Sequence, residues 1–121
     1  RMYERPARVF PVFVNLVNNS IYWVGTTFRD GRRILLDAAR GDVIVADSGP
    51  GVAVEDVDDI FNLFFTRKQN SGRGVGLYLA RTNLAAGGHT IRYKTEEDEP
   101  PMRGAAFYIT FRDAEFEANH D

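Results

Sequence analysis

From about Arg5 to Val24 the apolar residues Phe10, Phe13, Val14, Val17, Ile21 and Val24 recur at three- and four-residue steps, the spacing of a helix buried along one stripe. Pro11 lacks an amide hydrogen and fits only near a helix start, so the regular part is expected to begin there. Gly25 to Gly31 reads as a polar connection. Arg33 to Ala39 and Asp42 to Ala46 read as strands, and the Arg40-Gly41 link between them predicts a hairpin. Past Gly51, the spacing of Val54, Val57, Ile60, Phe61 and Phe64 predicts a short amphipathic helix, with Glu55, Asp56, Asp58 and Asp59 as its solvated face. A polar stretch, Thr66 to Ser71, follows Phe64-Phe65. A third helix is expected from about Val75 to Ala86, stopped by Gly87-Gly88. Strands at His89 to Lys94 and Ala105 to Arg112 close the pattern, joined by the acidic, proline-containing loop Thr95 to Arg103. Phe107, Ile109 and Phe111 alternate toward a core.

These elements fit one domain in a chain of 121 residues, long enough for a real core. The regular part is expected to span about residues 8–112, within a piece of a longer protein, since the chain opens on Arg1 with no signal peptide. A net charge of −2 supplies no electrostatic reason to bind nucleic acid. No run of about 18 apolar residues exists to cross a membrane, so no membrane contact by this domain is expected. The chain has no cysteine, which excludes disulfides, cysteine metal sites and cysteine nucleophiles and is compatible with a cytoplasmic setting. His89 and His120 lack a metal-ligand pattern or a phosphoacceptor context.

The candidate chemistry lies between Asp47 and Arg81. Val43 to Ala46 runs straight into Asp47-Ser48-Gly49-Pro50-Gly51, where the chain must turn sharply and a ligand can approach the backbone. A carboxylate at that strand end can accept a hydrogen bond from an exocyclic amine such as that of adenine, which makes Asp47 the candidate base reader. The second cluster, Gly72-Arg73-Gly74-Val75-Gly76, opens a helix, where backbone N–H groups and the helix dipole favour a phosphate. A dinucleotide fingerprint would follow a strand directly and be trailed by an acidic residue about 20 positions on. Here a loop precedes the glycines, and no Gly-Lys-Ser/Thr follows to make a Walker loop. Lys68 or Arg67, lying between the glycine clusters, can reach phosphate oxygens from a lid. Asn15 and Asn19 sit one helical turn apart. They are either solvated amides or oxygen ligands facing Mg²⁺. Trp23 either packs in the core or lies beside a base.

The order of the pieces resembles the GHKL, or Bergerat-fold, ATP-binding family of sensor histidine kinases, gyrase, Hsp90 and MutL, over roughly Phe10 to Phe111. VNLVNNSIYW is similar to its N box, DSGPG to its first glycine box, IFNLFFTRK to its phenylalanine box and GRGVGL to its second glycine box. The resemblance implies an α/β (α+β) two-layer sandwich: a mixed, largely antiparallel sheet with helices packed on one face and ATP between helices and lid. It implies that Asn19 binds the metal, that Asn15 is the preceding N-box asparagine, and that Asp47 contacts the adenine amine. Gly49 and Gly51 would shape the base pocket, with Trp23 and Thr66 beside the nucleotide and Lys68 near the terminal phosphates. Gly72, Arg73, Gly74, Val75, Gly76 and Leu77 would form the phosphate side.

Within the family the FFTRK segment followed by GRGVGL looks most like histidine kinases with a short lid. In the hydrolysing branch a glutamate one turn before the metal asparagine activates water. Asn15 holds that place here, and an amide cannot take the proton at neutral pH. The implied function is therefore the catalytic domain of a histidine kinase, transferring the ATP γ-phosphoryl group to a histidine elsewhere with Asn15 and Lys68 at the reaction centre. Its implied partners are ATP or ADP, Mg²⁺, a histidine-containing dimerisation domain and a response regulator. The alternatives are a non-catalytic nucleotide-binding switch and, ranked third, a GHKL ATPase. Pro11, Tyr22 and Ala105 depart from the family's usual residues.

Overall fold

The computed structural model describes residues 6–26, 32–39, 41–68 and 74–112. Helix α1 (Pro6–Gly25) is followed by strands β1 (Ile34–Ala39) and β2 (Asp42–Asp47), helix α2 (Gly76–Ala86), and strands β3 (Thr90–Tyr93) and β4 (Ala106–Thr110). The strands form one sheet in the order β1-β2-β4-β3, and every pairing among the described residues is antiparallel. Gly41, at a φ of 88°, turns the chain between β1 and β2; its neighbour Arg40 lies outside the described residues.

Alternation sorts the strands into two faces. Val45, Ile91, Tyr93, Phe107 and Ile109 pack with Val12 and Leu16 of α1 and with Ala80 and Leu84 of α2 in the main core. Both helices thus cover one face of the sheet, as the two-layer expectation required. The opposite face carries a smaller cluster of Ile44, Ala46, Ala106 and Tyr108, against which Met102 packs. Arg92 lies 4.4 Å over the Tyr108 ring and donates to both carboxylate oxygens of Asp98, at 2.8 and 3.1 Å. The loop between β3 and β4 is thereby folded back beneath the sheet.

The buried stripe of α1 differs from the expected one. Phe10, Val14 and Ile21 are 70%, 41% and 56% exposed, whereas Val9, Val12, Leu16 and Ser20 are buried. Val24, by contrast, is buried as the apolar spacing anticipated. Apolar residues surround much of this helix, so periodicity alone chooses poorly between flanks, and docking on α2 and the sheet selects the Val12–Leu16 side. Pro11 lies inside the helix, which begins at Pro6. The lost bond to the carbonyl four residues earlier is outweighed by the burial of Val12 and Leu16 immediately downstream.

The expected second helix is a single 3-10 turn, Val54–Asp56, continued by turns whose bonds span three residues: Asp59 N–H to Asp56 O, Asn62 N–H to Asp59 O, and Phe65 N–H to Asn62 O. The Asn62 amide also donates to the Asp59 carboxylate at 3.2 Å. Asp and Asn side chains that bond locally compete with a regular helix, and the tighter winding places the consecutive Ile60 and Phe61 in the core together.

Replacing fully buried Leu16 by Ala should cost about 2–5 kcal/mol in denaturant unfolding, whereas Phe10→Ala should change stability by no more than about 0.5 kcal/mol. A reversed ranking would place the wrong flank of α1 in the core. Hydrogen bonds from Arg92, then from the Thr95 backbone, hold the Asp98 carboxyl well below the usual aspartate range. Its contribution to stability is therefore present above the unfolded-state pKa and lost as pH falls through the folded value. The stability gap between wild type and Asp98→Asn should be constant above about pH 5 and narrow below about pH 4, which urea unfolding at stepped pH measures.

Candidate functional site

A cavity of about 530 Å³ opens between α1, the loop after β2 and the start of α2, a size suited to a small-molecule ligand. Four-residue steps along α1 turn Asn15, Asn19 and Trp23 toward it. The Trp23 ring is held edge-to-face against Tyr22, with centroids 4.9 Å apart.

Asp47, the last residue of β2, is 1% exposed. Its Oδ1 accepts the N–H of Gly49 at 2.9 Å and that of Ala105 at 3.3 Å. Its Oδ2 and the Ser20 hydroxyl are buried with no hydrogen-bond partner among the described residues. Asp47 does not itself line the cavity, but Pro50, Gly51 and Ala105 do. Gly104 makes this arrangement possible, since a Cβ there would run into the Asp47 carbonyl oxygen and lie 2.7 Å from the Gly49 nitrogen. Lys94 secures the same segment by donating to the carbonyls of Arg103, at 2.9 Å, and Gly104, at 2.6 Å. Farther along the loop, the Tyr93 hydroxyl accepts the Val52 N–H at 2.9 Å. Burial pushes the Tyr93 phenol above its ordinary pKa.

The opposite wall comes from Phe65 to Lys68 and from Gly74 to Leu77. The Phe64 N–H donates to the Gly74 carbonyl at 2.7 Å. Phe64 is held at a φ of 69°, while a side chain on Gly74 would overlap the Phe64 backbone. This clasp brings both ends of the intervening segment together, so that the first turn of α2, with backbone N–H groups unused by the helix, borders the cavity. Arg67 donates from Nε and Nη2 to the two oxygens of Asp56, at 3.2 and 3.0 Å, and lies 4.9 Å over the Phe65 ring. The hydrogen bond from Arg67 lowers the Asp56 pKa, and the same bond raises that of Arg67. Lys68 has no carboxylate partner among the described residues; its backbone N–H donates to Thr66 Oγ1 at 3.0 Å, and partial burial lowers its ammonium pKa.

The family model described as "Histidine kinase-, DNA gyrase B-, and HSP90-like ATPase" matches residues 4–115. The chain belongs to this HATPase family. It is 31% identical over 112 residues to the sensor protein kinase PilS of Pseudomonas aeruginosa, covering 88% of this chain and 20% of that relative. The catalytic domain of histidine kinase ThkA, in a nucleotide-free form, is 28% identical with a TM-score of 0.58, over 87% of this chain and 66% of that one. Full-length ShkA in complex with AMPPNP is 27% identical with a TM-score of 0.58, over 84% of this chain and 20% of that one. The chain thus spans about a fifth of the length of PilS.

The HATPase fold gathers Asn15, Asn19, Trp23, Gly51, Thr66, Lys68, Gly74, Val75, Gly76 and Leu77 around this cavity. Gly49 stands outside its lining, packed where a Cβ would lie 3.0 Å from Asp47 Oδ1 and 3.3 Å from the Trp23 carbonyl carbon. Gly72 and Arg73 lie outside the described residues. Of the two candidate lid cations, Arg67 is committed to Asp56, which leaves Lys68. Asp56 itself is buried at the cavity rather than part of a solvated acidic face, a pairing across eleven residues that helical spacing does not reveal. Of the apolar walls, Ile60 opens the IFNLFFTRK box without having been named as a site residue, and Val52 belongs to no motif.

Gly104→Ala should leave the chain folded by circular dichroism while displacing the Asp47 turn, with loss of the slowly exchanging Gly49 and Ala105 amides in hydrogen exchange. Unchanged protection at both amides would mean that the close approach of Gly104 does not hold the carboxylate in place.

Proposed function

We propose that this chain is the ATP-binding catalytic domain of a sensor histidine kinase and positions Mg-ATP for transfer of the γ-phosphoryl group to a histidine on another domain. The observation that carries the reading is Asp47 Oδ2, a buried carboxylate oxygen without a partner among the described residues. An unmet buried acceptor costs stability unless a ligand donor completes it, and an adenine amine is such a donor. The shared HATPase model and the AMPPNP complex of ShkA support nucleotide as that ligand.

The remaining roles follow from chemistry. Gly51 and Trp23 flank the base, while Gly74, Val75, Gly76 and Leu77 offer backbone donors to the phosphates, joined by Gly72 and Arg73. Asn19 holds Mg²⁺ through a neutral hard oxygen, as suits an ion that takes its other ligands from phosphates and water; when bound, the ion neutralises charge on the transferring group. Lys68 adds a second positive charge on the phosphate side.

The same residues favour transfer to histidine over hydrolysis. The Asn15 amide cannot accept a proton from water at neutral pH, and the carboxylate of Asp56 is tied to Arg67 with a lowered pKa, which makes it a weak base. Phosphoryl transfer to an imidazole needs no water-activating group and relies on positioning and charge neutralisation. The acceptor belongs to a histidine-containing dimerisation domain of the parent protein, with a response regulator downstream, in the cytoplasm. Among the described residues no helix is long and apolar enough to cross a membrane.

Titration with ATP, ADP and Mg²⁺, followed by calorimetry and by fluorescence of Trp23, the chain's one tryptophan, tests this reading. Asp47→Asn keeps an oxygen for the Gly49 and Ala105 amides but presents an NH₂ to the adenine amine, and should weaken ATP at least about tenfold. Asn19→Ala should chiefly abolish the Mg²⁺ dependence. Saturable binding together with γ-phosphoryl labelling of the parent protein supports the kinase; binding without labelling would instead favour a nucleotide switch. A folded wild type that binds no nucleotide would defeat both.

A further inference from the structure

Tyr22 follows Asn19 by three residues, one turn farther along α1 on the flank that borders the cavity. Its ring is fixed edge-to-face by Trp23, and the Lys68 ammonium lies 5.2 Å from its centroid, within the range of a cation–π contact. Lys68 lines the cavity together with Asn15, Asn19 and Thr66, and its backbone is pinned by the Thr66 hydroxyl. Arg67, its neighbour, is held by Asp56. Of these two cations, the one without a carboxylate partner among the described residues therefore rests on an aromatic face.

We propose that Tyr22 is a positioning residue for Lys68: its ring seats the ammonium at the cavity so that the charge is ordered before a polyphosphate arrives. The proposal rests on the nucleotide reading above and adds how the phosphate-side charge is held. A carboxylate partner would compete with phosphate for the lysine. A ring face attracts the ammonium more weakly and leaves N–H donors pointing away from the ring, free for oxygen acceptors. A flexible four-carbon side chain loses considerable rotamer freedom when it engages a ligand, and a preformed seat reduces that loss. The benefit falls on ligands with β- and γ-phosphates and not on the base, which is read from the Asp47 side.

Lys68 and Lys94 are the chain's two lysines, so lysine-selective ¹³C labelling of the full chain resolves both ε-methylene signals, assigned with Lys68→Arg. In the wild type the Lys68 signal should be shifted upfield by the tyrosine ring current. Tyr22→Phe should keep that shift and the ATP affinity, and Tyr22→Leu should lose the shift. ATP binding in Tyr22→Leu should weaken about fivefold while AMP binding changes by less than about twofold. An unshifted Lys68 signal in the wild type, or one unchanged in Tyr22→Leu, overturns the seat. Equal weakening of AMP and ATP overturns it too, by showing general damage to the pocket. If the wild type binds neither nucleotide, the nucleotide reading fails on its own, and the lysine signals still decide whether Tyr22 seats the cation.

Discussion

Burying a carboxyl group is costly unless hydrogen bonds replace the water it loses, and Asp47, 1% exposed at the end of β2, is the point at which the fold meets that requirement. Two backbone amides from separate parts of the chain, Gly49 and Ala105, converge on one oxygen. For them to converge, the entry to β4 must pass against the turn after β2, at a separation that leaves no room for a side chain on Gly104. The central β2–β4 pairing and the Lys94 bonds to the neighbouring carbonyls hold that separation. The sheet order, the glycine and the half-satisfied carboxyl are thus parts of one constraint, which leaves one carboxylate oxygen without a partner among the described residues.

The opposite side of the cavity is held by softer means. A backbone hydrogen bond joins Phe64 to Gly74, with Phe64, 69% exposed, held at a positive φ. Next to it, Arg67 and Asp56 neutralise one another, and Lys68 rests on an aromatic ring. The cavity thus has one side fixed by backbone hydrogen bonds to a buried carboxylate and another that carries a lysine seated on a ring.

Helix α1 serves both the core and the cavity. Val12 and Leu16 anchor it to the sheet and α2, while Asn15, Asn19 and Trp23 face the cavity. Because the two sets are interleaved at helical spacing, the packing that fixes the hydrophobic residues also fixes the bearing of the amides. A rotation large enough to bury Phe10 and Val14 would carry the asparagines away from the site.

Much was determined by local sequence. Strand alternation in Phe107, Ile109 and Phe111, the glycine stops, and the four motifs in order depend on neighbours a few residues apart, and β-strand and turn preferences act at that range. Most of the candidate site was legible for the same reason: each box carries its own chemistry. Tertiary structure alone decided which flank of an apolar-rich α1 is buried, because opposing flanks offer similar apolar area and only a docking surface tells them apart. It decided that the stretch after Val54 winds as tight turns, where Asp59 and Asn62 bond each other while Ile60 and Phe61 enter the core. It also decided which of two neighbouring cations is paired with a carboxylate among the described residues. Arg67 and Lys68 are adjacent and chemically alike in sequence, and only the folded chain brings a carboxylate to one and an aromatic face to the other.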